Sequence, residues 1–215
     1  AGGTIVALEA LLSGDANTAV HLPGAKHHAQ ADHSSGFCVF ADFAIAAKIA
    51  VAHGMKVAIF DFDAHHGDGT EKLCANDPNI LTYSIHEKGI FPGTGLRNRP
   101  SKHVYNQPIL PSNELFTDYS ELLHAVQRFE ALATNFGADI IFIAAGADGH
   151  RNDPLSHLHF DEHIVAKAMG NLFSQDTFAK LPVLIGGAGG YRPDDATPTM
   201  WAETVAWVAQ RRTEW

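Results

Sequence analysis

A chain of 215 residues with 46% apolar and 18% charged side chains has the size and composition of one folded domain, which excludes a disordered tract. Its longest apolar runs, such as residues 140–147, are far too short to cross a bilayer, so membrane spans are excluded too. The 24 acidic against 15 basic residues give a formal charge of -9, which argues against a broad electrostatic grip on nucleic acid and favours a neutral or cationic substrate.

Apolar spacing predicts a helix over residues 4–12 and, beyond a turn at Gly14 and Asp15, a strand over 18–22 closed by Pro23 and Gly24. Alanine and isoleucine at helical spacing predict a helix over 37–53 that stops at Gly54, then a buried strand over 56–60 closed by Asp61. A short helix over 70–75 and a strand over 80–85 come next, and residues 86–113, rich in Gly, Pro and Asn, read as one long loop. An amphipathic helix over 119–136 ends at Gly137. It is succeeded by a strand over 140–144, a helix over 161–173, a strand over 182–185 and a last helix over 198–211 with proline at its start. Strands that are apolar throughout and alternate with helices imply an α/β fold of three layers, with a mainly parallel sheet covered on both faces.

Cys38 and Cys74 cannot build a disulfide framework, so a reducing compartment, the cytoplasm, is the expected location. Ala1 is not a methionine, and the expectation is a chain that begins inside a longer product, with any targeting segment hidden by the missing start. The compositional anomaly is histidine, at 14 residues, which points to metal or proton chemistry.

In open α/β sheets ligands bind beyond the carboxyl ends of the strands, so the residues just past each predicted strand matter most. Four strand ends are polar. They carry Lys26-His27-His28, the run from Asp61 to Gly69, the run from Gly146 to His150, and the glycine-rich run from Gly186 to Tyr191. The stretch from Asp61 to Asp68 holds three carboxylates and two imidazoles, a donor set that hard or borderline divalent metals bind. In an extended stretch Asp61, Asp63 and His65 share one side, and Asp148 from another strand end completes an Asp, His, Asp site with positions left open. A turn built from Asp and Gly is the plain alternative, but turn chemistry does not call for two consecutive histidines after a buried strand.

His27 and His28, taken with Asp61 and Asp68, make two possible dyads in which a carboxylate orients an imidazole and raises its basicity. Tyr191 is either a half-buried packing residue or a hydrogen-bond donor to a developing oxyanion, with Gly189 and Gly190 allowing close backbone approach. Those glycines do not form a phosphate loop, since neither GxGxxG nor GxxxxGK[ST] is present there.

The blocks Pro23-Gly24-Ala25-Lys26-His27-His28-Ala29, Ser35-Gly36-Phe37-Cys38, Asp61 to Glu71, Phe91-Pro92-Gly93-Thr94-Gly95, Gly146-Ala147-Asp148 with Asp153-Pro154-Leu155, and Gly189-Gly190-Tyr191 occur in this order. Together they resemble the zinc-dependent histone deacetylase family and its bacterial deacetylase-like amidohydrolases. The resemblance implies an arginase/deacetylase fold, one catalytic domain over residues 1–215, and hydrolysis of an acyl amide at a single zinc ion. It implies Asp63, His65 and Asp148 as zinc ligands, His27 paired with Asp61, His28 paired with Asp68, and Tyr191 as the oxyanion donor. It further implies His28 as general base and acid and His27 as electrostatic helper, a division that spacing alone does not make.

By the same resemblance Phe37 and Phe91 wall an acyl-lysine channel that Gly36 lines and that Gly189 and Gly190 approach. A structural potassium ion is expected at Asp61, Asp63 and His65 with Ser84 and Ile85. The implied substrates are an acetyl-lysine peptide or a small acetylated amine, with no direct nucleic-acid partner and no membrane. Family members carry an N-terminal portion ahead of the position matching Ala1, so part of the fold and of the substrate-gripping rim is expected to be missing. The compact loop over 86–91 is expected to leave the channel mouth open.

Two other readings compete. A two-metal ureohydrolase on the same fold requires Asp-x-His-x-Asp, where this chain has Gly67, and a second aspartate where it has His150. A non-catalytic acyl-lysine-binding module would be expected to have lost a metal ligand or Tyr191, and all are retained.

Overall fold

The computed structural model describes residues 1–111, 115–174 and 176–210. Helix α1 (Gly2–Leu12) leads to β1 (Thr18–His21), α2 (Asp42–Ala52) to β2 (Val57–Asp61), and α3 (Asp68–Cys74) to β3 (Ile80–Glu87). A 3-10 turn at Pro100–Lys102 precedes β4 (Val104–Ile109) and α4 (Leu115–Phe136). After β5 (Ile140–Ala144) come α5 (Glu162–Leu172), the short α6 (Asp176–Ala179), β6 (Val183–Gly186) and α7 (Ala196–Gln210). The six strands form one sheet in the order β1-β6-β5-β2-β3-β4, and every neighbouring pair is parallel.

Alternation along the central strands explains the three layers. Val57 and Ile59 of β2, with Ile140 and Phe142 of β5, pack among Leu8, Phe43, Ala46 and Ala47 of α1 and α2. Their neighbours in sequence, Ala58, Phe60, Ile141 and Ile143, face the other way, onto Phe129, Val165, Met169 and Val208 of α4, α5 and α7. Both faces are therefore apolar, which is why these strands read as continuous apolar runs. The second core is centred on aromatic rings: Phe129 lies 4.9 Å from Phe60, 6.1 Å from Tyr83 and 6.2 Å from Phe178, centroid to centroid. Phe129→Ala is expected to lower unfolding free energy by about 3–5 kcal/mol, because so enclosed a site has little room to collapse. Denaturant titration checks it, and a loss under about 1 kcal/mol would mean the core relaxes around the gap.

The structure corrects three predicted boundaries. The helix expected over 37–53 begins only at Asp42, because Gly36 and Phe37 sit at φ +50° and +62°. That left-handed backbone cannot belong to an α-helix. The loop expected over 86–113 contains the end of β3 and all of β4. β4 carries Asn106, Gln107 and Pro108, which hide it from an apolar-run search; at a sheet edge a residue without an N–H is tolerated. Its buried amide is satisfied sideways, the Tyr83 hydroxyl donating to Gln107 Oε1 at 2.6 Å and Gln107 Nε2 to Glu121 Oε2 at 2.8 Å. Helix α4 starts at Leu115 rather than residue 119. Asn113, the expected loop end, and Arg211, the expected end of the last helix, lie outside the described residues. Among the described residues no helix is long and apolar enough to cross a membrane.

From β2 the chain steps outward to β3 and β4, then returns to the other side of β2 at β5 and continues to β6. Such a reversal opens a crevice at the carboxyl ends of the two strands that flank it. Here those ends are Asp61 and Ala144, immediately before the two densest polar stretches of the sequence.

Candidate active site

Past β2 the chain turns back on its own carboxylates, with Asp63 N–H donating to Asp61 Oδ1 at 3.1 Å and His65 N–H to Asp63 Oδ1 at 2.9 Å. From β5 comes Asp148, fully buried, accepting the Ala64 N–H at 2.8 Å and holding His65 Nδ1 at 2.7 Å. Asp63, His65 and Asp148 thus offer three ligand atoms all within 4.8 Å of one another, the one such cluster among the described residues. Gly189 closes one side, its N–H donating to Asp63 Oδ2 at 2.7 Å. A side chain there would stand 2.6 Å from carboxylate oxygens of both Asp63 and Asp148, so only glycine lets the β6 end press so near.

Two aspartates and an imidazole suit a divalent cation of borderline hardness. Electrostatics agree. Burial and the Asp63 charge push Asp148 up to about 7, an unfavourable state that a cation between the carboxylates would relieve. Burial also works against the Asp63 charge, but His27 and His65 outweigh it and hold that carboxyl below its usual range. His65 is lifted to about 10 because its hydrogen bonds to Asp148 and Asp63 overcome the burial that opposes its charge.

The paired histidines are set by the loop from Pro23, and one buried residue organises that loop. Asp42, at the start of α2, accepts N–H bonds from Ala25 at 2.9 Å and Lys26 at 2.7 Å and the Thr4 hydroxyl at 2.5 Å. Sequence reading gave Asp42 no role, since it lay inside the helix expected over 37–53 and those partners are far away along the chain. His27 Nδ1 then meets Asp61 Oδ2 at 2.8 Å, and His28 Nδ1 meets Asp68 Oδ1 at 2.7 Å, while Gln30 Nε2 holds the other Asp68 oxygen at 3.0 Å. An ionised carboxylate only accepts, so each Nδ1 carries a proton and each Nε2 is left to the site.

The two imidazoles, 4.0 Å apart, are electrically unlike. Burial opposes charging His27, yet Asp61 and Asp63 raise it to about 9. Burial, joined by the neighbouring His27 charge, pulls His28 below its usual value despite Asp68. The two imidazoles thus lean in opposite directions, His27 toward its charged form and His28 toward its neutral one.

A cavity of about 340 Å³ opens onto this group, lined by His28, His65 and Tyr191 and by apolar Phe37, Ile90, Phe91 and Leu155. Its volume lies in the range of small-molecule sites. Phe37 and Phe91 are 83% and 51% exposed and stand at the rim of this cavity. Phe91 meets the His28 ring edge-on at 5.0 Å, and Phe37 meets Tyr191 at 5.9 Å. Gly36 lets the backbone lie against His28, since a Cβ there would stand 2.4 Å from the ring. Burial first, then Asp63 and Asp148, raises the Tyr191 phenol, keeping it a hydrogen-bond donor. Ile90 and Leu155 were not singled out as wall residues from sequence; Leu155 stood only inside a recognised motif.

The expected potassium residues are also near one another. Asp61 and Ser84 are register partners on neighbouring strands and line one small crevice, where the Ser84 hydroxyl pairs with His86 Nδ1 at 2.9 Å; the Ile85 side chain points into the core. For a second metal the geometry is unfavourable. A side chain at Gly67 would stand 2.4 Å from Asp61 Oδ2, and His150 is turned to Glu162 at 3.4 Å with its Nδ1 accepting the Asn152 N–H.

Comparison with known proteins identifies the family. Residues 1–208 match the family model described as Histone deacetylase domain. The chain is 35% identical over 211 residues to the acetoin utilization protein AcuC of Staphylococcus aureus (strain MRSA252), covering 94% of this chain and 53% of that protein. It is 34% identical over 209 residues to the AcuC of Bacillus subtilis (strain 168), covering 94% and 54%, and 31% identical over 215 residues to that of Staphylococcus xylosus. The chain spans about half the length of these relatives. With a family match over residues 1–208, nearly the whole chain, and a six-stranded parallel sheet, the chain belongs to the histone deacetylase family.

Proposed function

We propose that the domain hydrolyses the amide of an acetylated amine, either acetyl-lysine in a peptide or a small acetylated amine, with one zinc ion held by Asp63, His65 and Asp148. The observation that carries this reading is the buried Asp-His-Asp cluster opening onto an apolar cavity lined also by a neutral histidine and a protonated tyrosine. Zinc bound there supplies Lewis acidity toward a carbonyl oxygen and acidifies a water.

The protein's own groups do the rest. His28 Nε2 takes a proton from the attacking water and returns it to the leaving amine, with Asp68 fixing the tautomer through Nδ1. Positive His27 favours the charge that builds at the reacting carbon's oxygen, and the Tyr191 hydroxyl donates to that oxygen. Phe37, Phe91 and Leu155 exclude water from a narrow alkyl stem. The chain's charge of -9 suits substrates that leave a cationic amine.

A potassium ion near Asp61, Asp63, His65, Ser84 and the Ile85 peptide belongs to the same proposal, supported by the register pairing of Asp61 with Ser84. A single catalytic domain working without nucleic acid, in the reducing cytoplasm where Cys38 and Cys74 stay as thiols, completes it. The two-metal alternative has the placements of Gly67 and His150 against it.

The test is turnover of the zinc-loaded, full-length protein on a panel of acetyl-lysine peptides and acetylpolyamines. Hydrolysis of none of them would end the deacetylase reading. A pH profile adds a sharper expectation. The base must be unprotonated and His28 lies below the usual imidazole value, so kcat/KM is expected to hold below pH ~6.5 and to fall only at more acidic pH. In Asp68→Asn the support for protonated His28 is gone. The acid limb is expected to move lower still, while kcat drops about 10-fold to 100-fold through loss of the oriented tautomer. An acid limb moving upward would show that Asp68 acts on another group.

A further inference from the structure

Within the recognised block Asp153-Pro154-Leu155, Asp153 has no part in the steps above, yet it is only 6% exposed and both its carboxylate oxygens are engaged. Oδ1 accepts the Leu155 N–H at 3.0 Å in a local turn, and Oδ2 accepts the Tyr191 N–H at 2.8 Å from across the site. The aspartate is itself anchored, its N–H donating to the His150 carbonyl at 2.8 Å.

The segment after β6 is pinned residue by residue. The Gly187 N–H goes to the Leu22 carbonyl at 3.0 Å, Ala188 to Gly24 at 3.2 Å, Gly189 to Asp63 Oδ2 at 2.7 Å, and Arg192 to Thr197 Oγ1 at 3.1 Å. Between these anchors stands Gly190 at φ +154°, where a side chain would meet Thr197 at 2.6 Å and only glycine sits without strain. The Tyr191 amide itself is held by Asp153. Because the same carboxylate holds Leu155, one group ties the hydroxyl-bearing residue to a wall of the cavity.

We propose that Asp153 is a positioning residue, whose carboxylate aims the Tyr191 side chain into the cavity by tethering the Tyr191 amide. This rests on the reading of Tyr191 as oxyanion donor. Asp153→Asn is nearly isosteric and can keep the local turn to Leu155, but it sets an amide NH₂ against the Tyr191 N–H. Asp153→Ser, which retains a turn-forming oxygen too short for the long-range bond, serves if the asparagine protein folds poorly.

Two measurements on the full-length protein decide the matter. Hydrogen exchange at the Tyr191 amide is expected to speed up at least about 10-fold in Asp153→Asn, with β5 and β6 unchanged. In turnover of an acetylated amine, kcat is expected to fall about 10²-fold, the scale of a misplacement near 1 Å, with KM and metal content held. In a Tyr191→Phe background the same substitution is expected to cost less than about threefold, because the group it aims is already gone. Losses that multiply in the double variant, or an unchanged Tyr191 amide, overturn the proposal while leaving the deacetylase reading intact. Full activity in Tyr191→Phe alone removes the Tyr191 reading, and this proposal with it. If no acetylated amine is turned over at all, the deacetylase reading fails separately; slow Tyr191 exchange in Asp153→Asn still overturns the tether, and fast exchange supports it.

Discussion

Asp148→Ala is expected to purify without stoichiometric divalent metal and to lose on the order of 10³-fold in turnover, the scale of the several kcal/mol that a polarising cation supplies. The residue is fully buried, touches His65 through one oxygen and the Ala64 N–H through the other, and has no substitute among the described residues. Asp148→Asn separates the two roles: it can still accept the Ala64 N–H but brings no charge. Elemental analysis of protein prepared without added metal is the readout, and tight metal binding in either variant would remove Asp148 from the site. The wild-type protein should also show a pH dependence of metal affinity. Burial and Asp63 push the Asp148 carboxyl up to about 7, so a metal ion competes there with a proton. Affinity is expected to climb as pH rises through about 7 and to weaken on acidification.

Tyr191→Phe is expected to keep fold and metal while lowering kcat about 10²-fold to 10³-fold, the usual cost of deleting one oxyanion donor. Nothing else changes. The ring still packs against Phe37, and the backbone N–H still reaches Asp153. The phenol, raised by burial and by Asp63 and Asp148, stays protonated at any pH an assay would use, so the defect should be flat with pH. Equal activity in the two proteins would reduce Tyr191 to packing. A defect confined to KM would make it a ground-state contact instead.

Much of this was legible in the chain, for identifiable reasons. β2 and β5 are buried on both faces, so Val57–Asp61 and Ile140–Ala144 stand out as apolar runs, and the polar residues just beyond them had to face the crevice. The pairs His27 with Asp61 and His28 with Asp68 were expected, and the structure brings both within hydrogen-bond distance. What escaped depended on distance along the chain or on backbone geometry. β4 was hidden by its own polar side chains, whose partners Tyr83 and Glu121 belong to other elements. The early helix start failed because the left-handed φ of Phe37 leaves no trace in its identity, whereas Gly36 beside it was a warning. Asp42 fell inside the helix expected over 37–53, and Asp153 stood in a recognised block without a role of its own. Their importance lies in N–H groups that arrive from elsewhere.

The β6 end presses on the metal cluster through Gly189, a contact 126 residues away in sequence from its Asp63 partner, and Lys26 reaches Ala188 across 162. On a ribosome adding about 5–20 residues per second, Asp63 and His65 emerge roughly 6–25 s before the glycine that closes over them. For the first part of that interval β2 has no β5 beside it, and β5 in turn waits for β6, so the cluster lacks Asp148 and then Gly189 until the sheet is finished. The metal is then best captured by a finished sheet, unlike small zinc modules whose folding the ion drives. Variants that slow the last strand should accordingly accumulate as apo-protein before they accumulate as misfolded protein.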